Sequence, residues 1–159
     1  MIDSINTLTI GSFVYNNKVN KIAKIVAIDN GVKTEWQIDN SDLKCIDEIF
    51  HYDIDLIPIS IENIYAILGL NLTLDEDTSN EYGHKDYYDF FNQIRLSVDS
   101  MFEGDIWYIH VDNEDYDSIG AAQIKYINDI QTFFKLIGFD LDSYINKETI
   151  EIAKAVLKI

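Results

Sequence analysis

The feature that most constrains this chain is a change in the spacing of its apolar residues. From Phe13 to Val111 they fall mostly in short runs broken by turn formers, and from Ile124 they recur every three or four positions, at Ile124, Ile127, Ile130, Phe134 and Ile137. A two-residue period buries one side of a pleated strand, whereas a 3.6-residue period buries one stripe of a helix. The chain therefore reads as α+β, with strands first and helices mostly at the end.

Within residues 1–58 the pattern predicts an antiparallel β module, either an SH3-like barrel or a curled sheet. "SFVY" leads into the turn-like pair Asn16 and Asn17, and "KVNKIAKIVAI" sets Ile22, Val26 and Ile28 against Lys21 and Lys24 with an irregularity that predicts a bulge. Asp29-Asn30-Gly31 is the strongest hairpin signal, since Asn-Gly supplies the positive φ angles of a type I′ turn. "LKCIDEIF" and "DIDLIPI" complete the module, with Cys45 read as a small core residue that has no disulfide partner.

Residues 59–159 are expected to form an α+β module packed against the first, or continuous with it as one domain. Ser60 caps a short helix with Ile61, Ile64, Tyr65 and Leu68 on one face, which Gly69 ends. "NLTLDEDTSNEYGHKD" reads as a loop, and "YYDFF", "IRLSVD" and "DIWYIHV" as strands of a second antiparallel sheet. Two C-terminal helices follow, one from Ile124 to a cap at Gly138 and one over "KETIEIAKAVLKI", both covering that sheet.

Charge is distributed unevenly. Of a net −16, residues 1–50 hold 5 basic and 7 acidic side chains, residues 119–159 hold 5 of each, and residues 51–118 hold 16 acids against Lys85 and Arg95 alone. Such a field repels nucleic acid and anionic membranes and attracts basic surfaces, so direct nucleic-acid binding and membrane binding are both disfavoured. No apolar stretch reaches the roughly 20 residues that span a bilayer, and the N-terminus lacks the pattern of a secretion signal, which makes the cytoplasm the expected location.

No motif of catalytic specificity occurs, and no cofactor is implied. Residues 75–86, "DEDTSNEYGHKD", place Asp75, Asp77, Ser79 and Asp86 at calcium-loop positions, but Asn80 replaces the turn glycine and an Asp replaces the bidentate Glu, so a solvated loop is the preferred reading. His110 with Asp112, His51 with Asp53 and His84 with Asp86 share a two-residue spacing that abundance of Asp explains as well as chemistry does. What stands out is aromatic residues among carboxylates, a composition suited to a basic protein partner. The candidate partner-binding residues are Asp75, Glu76, Asp77, Glu81, Asp112, Glu114, Asp115 and Asp117, with Tyr87 and Tyr88.

"IGSFV" (Ile10 to Val14), "LIPIS" (Leu56 to Ser60) running into a helix that ends "LGL" (Leu68 to Leu70), and "IKYINDIQTFFKLIG" (Ile124 to Gly138) together resemble a group of small phage and prophage proteins of Bacteroidetes-type bacteria. That group shows an Ile-Gly pair before a strand, a Pro-Ile-x-Leu-Thr helix entry closed by Gly-Phe, and a closing Lys-Tyr helix with a Leu-Gln pair. Here Ser60 stands for the Thr, Leu70 for the Phe and Ile130 for the Leu. The resemblance implies a mobile-element setting, hence a host-cell cytoplasm, and carries over no catalytic residue.

Three functional readings follow. The first is a non-catalytic accessory protein that inhibits host defence or host machinery by presenting an acidic, DNA-like surface to a basic partner protein. The second is a small-ligand protein sequestering a signalling nucleotide through Arg95, Trp107, Tyr108 and His110. The third is a metal-dependent hydrolase built on His110, Asp112 and a neighbouring carboxylate.

Overall fold

The computed structural model describes residues 8–39, 41–80, 82–89, 93–112 and 118–138. The chain divides into two units, residues 1–58 with 126–128, and residues 59–125 with 129–159. The fold is α+β, with two five-stranded antiparallel sheets.

In the first unit β1 (Phe13–Asn16), β2 (Lys21–Ile28), β3 (Val32–Gln37), β4 (Lys44–Ile49) and β5 (Ile54–Asp55) pair in the order β4-β3-β2-β1-β5. The meander is expected of strands joined by short turns, and β5 returns to the far side of β1 after a 3-10 turn at His51–Asp53. Strands β4 and β5 are the two edges, so the sheet is not closed into a barrel. Every strand contributes to one buried cluster, through Val14, Ile25, Val32, Ile49 and Ile54, joined by Leu8. Beside it Asn16 Nδ2 donates to Thr34 Oγ1 at 3.0 Å, both side chains being fully buried, so the polar pair is satisfied internally.

Three local expectations change. The bulge in β2 exists, between Ile25 and Ala27. The buried phase of β2 is not that of Ile22, which is 45% exposed, but of Ala23 and Ile25; pairing of Ala23 with buried Val14 turns Ile22 outward. The 29–31 connection is a hairpin without positive φ at Asn30 or Gly31. Asp29 N–H donates to Gly31 O and Gly31 N–H to Asp29 Oδ1, an aspartate-stabilised turn that removes the need for type I′ geometry. Cys45 is only partly buried.

In the second unit Ser60 Oγ accepts from Asn63 N–H at 3.1 Å and caps α1 (Ile61–Asn63), which runs into a π-helical stretch, Ile64–Leu68, ended by Gly69 at φ 72°. Ile64 and Leu68 are buried, while Tyr65 stays exposed on this short, irregular helix. The second sheet comprises β6 (Thr73–Asp75), β7 (His84–Tyr88), β8 (Ile94–Met101), β9 (Gly104–Asp112) and β10 (Ser118–Ile124) in sequential order. Strand β6 occupies a segment expected as loop and β10 a segment for which no element is expected, and α2 (Ile127–Ile137) accordingly starts after Ile124. "SIGAAQI" is poor in strand-forming residues, yet β9 offers it a long ladder, and its small residues admit α2: a Cβ on Gly120 would lie 3.4 Å from Phe133 and Ile137. Gly138 has the left-handed φ of 73° that ends a helix. The expected last helix lies outside the described residues.

Candidate functional site

Pairing register sorts the second sheet into two faces. Ile94, Leu96 and Val98 of β8 lie opposite Val111, Ile109 and Trp107 of β9, and all but Trp107 are buried. The intervening residues must emerge on the other side. There His84, Asp86 and Tyr88 of β7 pair with Asp99, Ser97 and Arg95 of β8, and Ser97 and Arg95 with Tyr108 and His110 of β9. The result is a continuous polar face.

Its hydrogen bonds form two groups. His84 lies between carboxylates, with Nδ1 2.6 Å from Asp99 Oδ1 and Nε2 3.2 Å from Asp86 Oδ2. The bond to Asp99 raises the imidazole pKa above its usual value and outweighs burial, which lowers it, with Asp86 adding to the rise. Burial of Asp86 would raise its own pKa, but hydrogen bonds from Ser97, Thr78 and His84 outweigh it and hold the carboxyl below the usual range. In the second group Arg95 Nε donates to Asp112 Oδ2 at 3.2 Å. Burial, then the nearby Arg95 charge, lowers the pKa of His110, and burial raises that of Tyr88. Asp112 Oδ1 and His110 Nδ1 are buried without a hydrogen-bond partner among the described residues.

The sheet also has one strongly acidic end. β7 begins, β8 finishes and β9 starts there, because His84 pairs with Asp99 and Met101 with Gly104. Ser100 N–H donates to Gly83 O at 3.0 Å, which ties the β6–β7 connection to the β8–β9 hairpin. Glu76 and Asp77 thus lie at the same end as Asp99, Glu103 and Asp105, together with exposed Tyr82, Met101 and Phe102. Among the described residues no lysine or arginine forms an ion pair with any of these five acids.

The residues singled out from the sequence are distributed as follows. Asp75, Glu76 and Asp77 line an open depression of about 480 Å³ with Tyr88 and Asp89. Tyr87 points to the opposite face and stacks on Trp107, ring centres 6.3 Å apart. That places Trp107 across the sheet from Arg95, Tyr108 and His110, which do share the polar face. Asp112 is 3% exposed, at the end of β9 remote from Glu103, and is engaged by Arg95 rather than open to a partner. Glu81, Glu114, Asp115 and Asp117 lie outside the described residues. The calcium-like segment closes as a hairpin in which Asp75 pairs with Asp86, and no trio of His, Cys, Asp or Glu placed to hold a metal occurs among the described residues.

Sequence reasoning did not single out Asp99, Ser97, Glu103 or Asp105 for the site. The alternation His84-x-Asp86-x-Tyr88 against Arg95-x-Ser97-x-Asp99 was the available signal, and it needed a pairing register to become a cluster. No protein-family profile, curated protein or solved structure matches the chain at a significant level. No helix among the described residues is long and apolar enough to cross a membrane.

Proposed function

We propose that this chain is a non-catalytic accessory binding protein, an inhibitor of phage or prophage type that presents the acidic end of its second sheet to a basic protein surface. The observation that supports this reading is the joining of two hairpin ends, with Glu76 and Asp77 at the same end of the sheet as Asp99, Glu103 and Asp105. Carboxylates gathered at one end of a sheet make a negative field resembling the spaced charge of a nucleic-acid backbone, with Asp99 partly balanced by His84, and the exposed aromatic residues at that end give flat contact area and cation–π partners for arginine. Asp75 adjoins this end, whereas Tyr88 closes the opposite end of β7. Asp112 contributes to folding instead.

Nucleotide sequestration has weaker support, since Arg95 is committed to Asp112 and Trp107 faces away from Tyr108 and His110. The test is quantitative capture from a host lysate by the wild type and by a variant carrying Glu76→Gln, Asp77→Asn, Glu103→Gln and Asp105→Asn. A basic protein held by the wild type at low salt, released at about 1 M salt where screening acts within roughly 3 Å, and not held by the variant is the expected result. Equal capture by both forms overturns the proposal. A nucleotide that raises the melting temperature of both forms equally favours the second reading.

A further inference from the structure

The open edge of the first sheet at β4 carries a pattern that complements itself. Ile38 N–H donates to Leu43 O at 3.0 Å, which sets the phase of the β3–β4 ladder. Along an antiparallel strand, residues alternate between turning both backbone groups toward the neighbour and turning both away. Leu43, Cys45, Asp47 and Ile49 therefore face β3, and Lys44, Ile46 and Glu48 direct their N–H and C=O groups to the open side. The side chains of the same three residues share one face and are exposed, Ile46 by 62%.

An edge that is apolar at its centre is a template for another strand, and flanking charges decide which strand it accepts. Positive, apolar, negative is its own complement when read antiparallel. We propose that β4 pairs with β4 of a second copy about a two-fold axis at Ile46, joining two five-stranded sheets into one. Ile46 then lies on its symmetry mate, Lys44 opposite the second copy's Glu48, and Glu48 opposite its Lys44. About six new backbone hydrogen bonds form along the seam, because each of these residues already turns both groups outward.

The charges select this register. Centring the pair on Lys44 or on Glu48 places like charges on the axis, and centring it on Cys45 or Asp47 sets Ile46 against a charged side chain. Only the axis at Ile46 gives it an apolar partner and sets Lys44 and Glu48 each opposite the other's charge, with Cys45 opposite Asp47 on the other face. The seam also lies outside the strongly acidic segment 51–118, in residues 1–50 with 5 basic and 7 acidic side chains, so repulsion between copies is weaker there than it would be in that segment. The exposed pair of Lys44 Nζ with Glu35 Oε1 at 2.9 Å leaves Glu48 as the cleaner position for a test.

Sedimentation of the full chain over a concentration series is expected to reach twice the 18.4 kDa chain mass. Glu48→Lys and Lys44→Glu each remove two symmetry-related pairs and weaken the dimer about tenfold, and the combined charge swap restores it. In a Cys45→Ser background, Ile46→Cys forms a disulfide-linked dimer on oxidation and Leu43→Cys does not, because strand partners across the axis lie about 5.5 Å apart. All five positions are partly or fully exposed, and circular dichroism verifies that each variant is folded. A chain that stays monomeric at every concentration overturns the proposal. So does a dimer indifferent to Glu48→Lys, or one that the charge swap fails to restore.

Discussion

Arg95 and Asp112 are joined across β8 and β9 by an Arg95 Nε to Asp112 Oδ2 hydrogen bond of 3.2 Å, with the aspartate side chain 1% exposed and the arginine side chain 23% exposed. Removing one partner of a buried pair leaves the other charge uncompensated, and that penalty exceeds the net worth of the pair. Arg95→Met is expected to cost about 3 kcal/mol, and adding Asp112→Leu to recover most of it. Urea denaturation of the two variants measures this; equal losses would show that the pair contributes no coupling.

Two histidines on the same sheet face act in opposite directions with pH. The pKa of His84 is raised above its ordinary 6.5 by its carboxylate neighbours, so its stabilisation is complete below that value and is lost as pH rises through the raised one. His110 is lowered, so its contribution is present above 6.5 and is lost as pH falls through the depressed value. Asp86, lowered from 3.8, contributes above that value and loses its contribution as pH falls through the depressed one. His84→Gln is therefore expected to destabilise most at about pH 5 and least in alkali, while His110→Gln gains on the wild type as pH falls. Melting curves across pH, with imidazole titrations by NMR, check both signs.

Asn16 and Thr34 are the internal polar pair of the first unit. Thr34→Val keeps the shape and deletes the acceptor, which strands a buried amide at a cost of about 1–3 kcal/mol. Thr34→Ser retains the oxygen and is expected to lose less. A denaturation midpoint that shifts equally for both would place the effect in packing rather than hydrogen bonding.

Ser60 holds the start of α1 through Asn63 N–H. Ser60→Ala is expected to cost about 1 kcal/mol and Ser60→Asp to restore it, because either oxygen accepts the same orphan donor. Thermal unfolding measures the difference, and an unchanged midpoint for Ser60→Ala would mean that the cap contributes nothing.

What the sequence alone determined is local. The strands other than β6 and β10, the bulge in β2, the Ser60 cap, and the left-handed glycines at Gly69 and Gly138 are readable from residue period or from the conformational range of a single residue. The tertiary structure decided what depends on partners far along the chain. Pairing with β1 turned Ile22 outward, and β9 made a strand of "SIGAAQI" despite its glycine and alanines. Register buried Asp86 against Ser97 and Asp112 against Arg95, so two acids that composition assigns to the surface became internal, while Glu76 and Glu103, far apart in sequence, came to one end of one sheet. The reason is physical. A residue's propensity acts within a few positions, whereas the face it occupies and the charge it meets are set by a hydrogen-bonded ladder whose other side lies elsewhere in the chain.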